Sequence, residues 1–445
     1  MDDGTPPEVP QEADGESAAV HKRPGDGWTI GRGLKKEDHF PHFKGVAAIR
    51  RDSAERSEIT RARARLRDAF TPAQPVTDRR LFAGRLDVLT HLIEVIENRL
   101  AHVVLFGERG IGKTSLMHIL ADLARESDYL TLRATCGASS QFDVLFRNLL
   151  RDIPLIYHES VSPTDTGTGA DATLASLLPD RSFDSRELAD LLSGITSVRI
   201  LLMLDEYDRI ESETFRLNIA ELIKNLSDGA APVQLVIAGV SSNLHELIGY
   251  IPSIRRNVVG VPLPKLTETE VAQIIRHGEG ASGIRFAADI IDIIYDLSQG
   301  SPYLVRLVCY HSSLAALSEG RMDVQLADIR EGLDLMVEEA ATRLPIAALQ
   351  SARKIDLKHQ NELLGWTVHL AGTPSGWFST PDIVDEVSDP QTVSLIERFI
   401  REELIPIRLM VQEGSGSDAR YRFVDEGLQS FLWISLARNR LLGDA

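Results

Sequence analysis

The stretch Ala101 to Leu123, AHVVLFGERGIGKTSLMHILADL, constrains the fold more than any other part of this 445-residue chain. Ala101 to Phe106 is apolar enough to read as a buried strand. A glycine-rich turn follows, and an amphipathic helix starts near Lys113. The turn Gly107-Glu108-Arg109-Gly110-Ile111-Gly112-Lys113-Thr114 fits G-x-x-x-x-G-K-[ST] at every fixed position. Its glycines let the backbone curl so that N–H groups converge on a phosphate chain, and the helix N-terminus adds partial positive charge. Lys113 is placed to reach β- and γ-phosphates, and the Thr114 hydroxyl to ligate Mg²⁺. Gly107, Arg109, Gly110, Ile111, Gly112, Lys113, Thr114 and Ser115 are therefore the expected cradle for ATP or ADP.

A second apolar run ends in acid. In Val198 to Asp208, VRILLMLDEYD, residues Ile200 to Leu204 lead into Asp205-Glu206. Such a run is a buried parallel strand, and open α/β sheets bind ligands at the carboxyl ends of their strands. Asp205 is expected to hold Mg²⁺ through water, and Glu206 to orient and polarise the attacking water. Val233 to Gly239 is another apolar strand, ending in Val240-Ser241-Ser242-Asn243. Ser241 is the candidate there for contact with the γ-phosphate or lytic water, a plain turn being the alternative. Arg255 and Arg256, in IPSIRR, are suited to forking a phosphate in cis or on a neighbour's site. A surface ion pair is the alternative.

Composition bounds the rest. The length allows two or three domains, and 43% apolar residues make most of the chain globular. A net charge of −17 argues against a surface that grips nucleic acid all over. Two cysteines, Cys136 and Cys309, are too few for a disulfide framework and fit a reducing compartment. The acidic, proline-rich start is no signal peptide, and no apolar run approaches a membrane span. A cytoplasmic protein without membrane contact is expected.

Residues 1–45 lack an apolar period and read as a disordered acidic tail. The pair His39 and His42 lies in that tail without a ligand cluster, so an exposed tail is favoured there over a metal. Residues 46–75 form an arginine-rich helix and linker, with Arg50, Arg51, Arg56, Arg61, Arg63, Arg65 and Arg67. A solvated helix is the plain reading; a docking arm for an acidic partner, a neighbouring subunit or nucleic acid is the sharper one. Residues 76–265 make the nucleotide-binding core, with Ser160 to Ala172 as a surface loop. Residues 266–345 read as a helical unit. Thr267 to Glu270 is its opening capping box, Gly300 a left-handed stop, Pro302 a first helical residue, and Asp323 the cap of a further helix to about Leu344. In residues 346–445, helices over Asn361 to Leu370, Thr380 to Val387 and Thr392 to Glu403 precede strands Leu404 to Gln412 and Arg420 to Val424 and a closing helix. That is the outline of a winged helix.

Taken together, the strand and phosphate loop, the hhhhDE strand, the polar strand tip, the Ser-Ile-Arg-Arg run and PLPKLTETE resemble the AAA+ ATPases of the origin-recognition and replication-initiator type, and also the STAND signalling ATPases. The resemblance runs from Val76 to Arg440. It implies an α/β P-loop NTPase core with a parallel sheet, a helical lid and a C-terminal winged-helix domain. It further implies that Phe82, Gly84 and Arg85 line an adenine pocket and that Ser241 senses the γ-phosphate. Arg255 or Arg256 would read nucleotide, often across a subunit interface, and Pro302 in Gly300-Ser301-Pro302 would close the lid over the base. Initiators often carry an arginine just after this lid glycine, whereas here Ser301, Pro302 and Tyr303 follow, with Arg306 a turn later. That favours the STAND side. The third helix of the winged helix is near neutral to acidic and its wing tip holds no base, so a protein partner or self-association is favoured over DNA. The expected molecule is a Mg²⁺-dependent ATPase acting as a slowly hydrolysing switch, with a DNA-loaded initiator or DNA-remodelling ATPase as the alternative.

Overall fold

The computed structural model describes residues 58–443 except 73, 161–171, 242, 245–246, 248–253, 356–359 and 374. The acidic tail, His39, His42, Arg50, Arg51, Arg56, Ser242, most of the Ser160 to Ala172 loop and the start of IPSIRR lie outside these residues.

In chain order the elements begin with α1 (Glu58–Phe70), α2 (Leu86–Glu97), β1 (His102–Gly107), α3 (Lys113–Glu126), β2 (Tyr129–Thr135), α4 (Phe142–Leu150) and α5 (Ser185–Ser193). Then come β3 (Arg199–Asp205), α6 (Glu213–Asp228), β4 (Val233–Val240) and β5 (Val258–Pro262). β1 to β5 make one parallel sheet in the order β2-β3-β4-β1-β5. Side chains alternate across a strand, and here both faces are covered. Val104, Leu202, Leu204, Leu235 and Ile237 join one core layer, with Phe142, Phe146 and Phe215. Val103, Leu105, Leu201, Met203 and Val236 join the other, against Leu116, Met117 and Leu120 of α3. Since the central strands β1, β3 and β4 are largely apolar on both faces, their polar ends are left as the places where chemistry can sit.

A helical lid follows: α7 (Glu268–Ser282), β6 (Arg285–Phe286), α8 (Ala288–Ser298), α9 (Pro302–Ser318), β7 (Asp323–Val324) and α10 (Leu326–Thr342). The Thr267–Glu270 capping box is formed, and Ser301 caps α9 ahead of Pro302. Asp323, expected as a helix cap, instead pairs in the short β6–β7 ladder; α10 starts later, at a capping box of Gln325 and Asp328. The arginine helix α1 belongs to this unit. It buries Ala62, Leu66, Ala69 and Phe70 in the lid core, where Phe70 meets Phe286 edge-on at 5.8 Å. Gly278 is there because nothing larger fits: a Cβ would fall 2.0 Å from the Phe70 ring. Gly278→Ala should therefore cost about 1–3 kcal/mol through overpacking. A lowered thermal midpoint in calorimetry checks this; an unchanged one contradicts it.

The C-terminal part holds α11 (Ile346–Ala352), α12 (Asn361–Leu370), β8 (Phe378–Ser379), α13 (Thr380–Glu386), α14 (Pro390–Phe399), β9 (Met410–Glu413), β10 (Arg420–Phe423) and α15 (Glu426–Gly443). Three helices and an antiparallel β8-β10-β9 sheet enclose their own core, the winged-helix arrangement. The third helix begins two residues earlier than expected because Asp389 caps it, and it ends in a π turn at Ile400–Leu404. The first wing strand is correspondingly shorter.

Candidate functional site: a phosphate loop under a helical lid

The phosphate loop leaves β1 at Gly107 and enters α3 at Lys113. Gly110 and Gly112 have φ of +76° and +96°, left-handed values that side chains resist. At Gly107 a Cβ would lie 2.8 Å from the Leu263 carbonyl, so only glycine lets the loop pass β5's exit. Ile111 is buried and anchors the turn, and the Ser115 hydroxyl accepts the Val76 N–H at 3.0 Å. Lys113 is buried; its Nζ donates to the carbonyls of Gly107 at 2.9 Å and Glu108 at 2.8 Å. Burial pushes its ammonium down to about 8, while the carboxylates of Asp208, Asp205 and Glu108 pull the other way. Thr114 is half-buried at the first turn of α3.

Asp205 ends β3, buried, with Oδ1 accepting the Glu206 N–H at 2.9 Å. Glu206 itself is at φ 53°, a left-handed value for a residue with a side chain. Such strain persists where the surroundings over-determine it. Its Oε2 pairs with Arg209 at 2.9 Å. Beneath, the Cys136 N–H donates to the Asp205 carbonyl at 2.8 Å, and burial pushes the Cys136 thiol up to about 12. Ser241 is buried at the tip of β4 and donates to the Asn243 carbonyl at 2.6 Å. Arg255 and Arg256 are exposed on the turn before β5.

Asp208, which the sequence reading passed over, joins these strands. Its Oδ1 accepts the Val240 N–H at 2.7 Å, tying the acidic turn to the tip of β4 beside Ser241. The second Asp of LDEYD was its only signal.

Phe82, Gly84 and Arg85 sit where core meets lid. Phe82 packs on the α3 side of the core. Gly84 has φ +70° and Arg85 φ 58°. Glu270 of α7 accepts the Arg85 N–H at 2.9 Å, and buried Arg85 donates from Nη2 to the Pro264 carbonyl at 2.6 Å. Burial lowers the Arg85 pKa, against the pull of Glu270 and Asp87. The lid also reaches the phosphate loop directly. A Cβ on Gly110 would lie 3.3 Å from Tyr303 Cβ, and one on Gly112 3.8 Å from Pro302 Cγ. Arg306 turns away, donating to the carbonyls of Ala69 at 3.1 Å and Leu81 at 2.9 Å. From the C-terminal domain, Glu426 pairs with Arg109 of the loop at 2.6 Å. The structure thus gathers the loop, Asp205, Asp208 and Pro302 at the carboxyl end of the sheet, and leaves Arg255 and Arg256 at its amino end, on the turn that enters β5.

A hydroxyl, a buried carboxylate and ligand phosphates are the hard oxygen donors that Mg²⁺ takes, and it needs few protein ligands. Among the described residues no group of three or more His, Cys, Asp or Glu is placed to hold a metal.

Residues 98–248 match the family model described as an AAA domain. No curated protein sequence matches the chain. Among solved structures it is similar to Cdc6p from Pyrobaculum aerophilum, at 16% identity over 84% of this chain and 98% of that one, TM-score 0.44. It is similar to a Walker-type ATPase of Pyrococcus abyssi, at 16% identity over 82% and 99%, TM-score 0.46. The ORC1 protein of Aeropyrum pernix, solved in complex with DNA, is 15% identical over 85% and 97%, TM-score 0.43. Residues 98–248, with the site around Lys113 and Asp205, make an AAA+ P-loop ATPase domain within the chain. Among the described residues no helix is long and apolar enough to cross a membrane.

Proposed function

We propose that the chain is an ATP-binding, slowly hydrolysing switch of the AAA+/STAND type, in which nucleotide state sets the position of lid and winged helix and thereby self-association or partner binding. The observation that carries this reading is that one loop is touched by all three parts: Gly107 by β5's exit, Gly110 and Gly112 by α9, and Arg109 by Glu426. A triphosphate in that loop changes the charge next to each contact, and packed elements answer such changes by moving as units. In this reading Lys113 and the loop N–H groups bind the phosphates. Thr114 and Asp205 hold Mg²⁺, which neutralises phosphate charge when bound. Glu206 orients the lytic water, Ser241 faces the γ-phosphate side, and Phe82, Gly84, Arg85 and Pro302 enclose the base. Two buried free cysteines fit a cytoplasmic location.

The test is a distance between spin labels on α4 and α14 in ADP and in a non-hydrolysable ATP analogue. A shift between the two states is expected; identical distributions would count against the switch. Arg255 and Arg256 are assigned to a neighbour's nucleotide. Replacing both with alanine should lower turnover about tenfold or more at high protein concentration and little at low concentration. Equal loss at all concentrations would place them in cis.

The DNA-bound alternative has one observation in its favour. On the wing sheet Trp377 lies under two guanidinium groups, Arg420 at 5.7 Å and Arg422 at 4.7 Å. Basic groups interleaved with an aromatic ring suit a nucleic-acid backbone.

A further inference from the structure

We infer that the arginine helix on the lid and the acidic helix–turn–helix of the winged-helix domain form a head-to-tail contact between two copies of this chain. The rotation of α1 is fixed by its buried stripe, Ala62, Leu66, Ala69 and Phe70. At 100° per residue this puts Arg61 and Arg65 on one flank and Arg63 and Arg67 on the other. All four are exposed. Arg67 has its neighbour Asp68 at 3.7 Å; Arg61, Arg63 and Arg65 have no ion-pair partner among the described residues. In a chain of net charge −17, the Arg63 and Arg67 flank makes a cationic rail that is anchored and not loose, because Phe70 fills the space over Gly278 and Arg306 holds the Ala69 carbonyl.

The complementary surface is where a winged helix would offer bases to DNA. Residues 380–404 hold seven acids against two arginines. Asp382 and Asp389 are used as helix caps. Asp385, Glu386 and Glu403 are exposed; Glu386 has only His369 at 3.7 Å, and neither Asp385 nor Glu403 has an ion-pair partner among the described residues. On the same two helices, Val384 of α13 is 53% exposed and Leu395 of α14 41% exposed, apolar side chains near these charges in sequence. Such a face repels phosphates and attracts guanidinium groups, and interfaces use complementary charge in this way to select partner and register. Because the two surfaces differ, each copy keeps one of each free, and the contact extends copy by copy.

The test is the mass of the full-length chain by sedimentation across protein concentration and salt, without nucleotide. Mass should rise with concentration at low salt, and association should weaken about tenfold between about 0.05 M and about 0.5 M salt. Arg63→Glu with Arg67→Glu should give monomers, as should Asp385→Lys with Glu403→Lys. Circular dichroism and retained nucleotide binding check that both variants fold. Mixing the two variants should restore concentration-dependent association, since the reversed rail of one matches the reversed acidic face of the other and the unaltered rail and face match as well. Monomers at all salt concentrations, or association that survives either reversal, would overturn the contact. So would duplex DNA binding that the Arg63, Arg67 variant loses with its mass unchanged; the rail would then be a nucleic-acid surface. Turnover is not read, so failure here leaves the switch itself untouched.

Discussion

Lys113→Ala should abolish tight ATP binding. Its ammonium is buried and satisfied only by the Gly107 and Glu108 carbonyls, both of which belong to the loop that would surround the phosphates. Charge-assisted hydrogen bonds contribute about 1.5–3 kcal/mol each, so losing the ammonium should cost about a hundredfold or more in affinity. Titration of a fluorescent ATP analogue reads this directly, and undiminished affinity would refute the assignment. The same residue makes binding pH-dependent. Without nucleotide, burial holds the Lys113 pKa at about 8, so the ammonium is partly deprotonated near that pH. A phosphate beside it favours the charged form. Binding should therefore take up protons near pH 8, and the uptake should shrink as pH falls well below that value. Calorimetry in buffers of different ionisation enthalpy measures it. Lys113→Ala should lose both the affinity and the uptake.

Glu206→Gln should leave nucleotide binding in place and stall hydrolysis. The side chain sits on a left-handed residue, just beyond Asp205, and the amide can still meet Arg209 while losing the charge that would polarise water in the proposed mechanism. General-base contributions are about 10²–10⁴-fold, so single-turnover hydrolysis should fall by at least about 10². Unchanged hydrolysis would remove Glu206 from that role. Asp205→Asn should differ, weakening the Mg²⁺ dependence of binding as well as the rate.

How much of this was legible in the sequence depends on whether a residue acts through local geometry. The phosphate loop, β3 running into Asp205-Glu206, the capping box at Thr267 and the start of α9 at Pro302 are local patterns, and each forms where the residues place it. The contacts that join units were not legible. Glu270 reads as a capping residue, yet the same carboxylate also accepts the Arg85 N–H from 185 positions away in the chain. Arg306 stands a turn later than the arginine that often follows this lid glycine in initiators, and only α9's packing shows where it goes, to the Ala69 and Leu81 carbonyls. The arginines of α1 read as either a solvated face or a docking arm. Only the buried stripe of that helix decides which flank each arginine takes. At the C-terminus, Asp389 and the π turn at Ile400 moved helix and strand limits that apolar periodicity alone had set.

Steady-state ATP hydrolysis by the full-length chain, with and without duplex DNA at moderate salt, tests the central claim most directly. A nucleotide-gated protein switch turns over slowly and at the same rate in both conditions. Strong stimulation by DNA would contradict the account and make this a DNA-loaded ATPase whose wing, at Trp377, Arg420 and Arg422, touches nucleic acid.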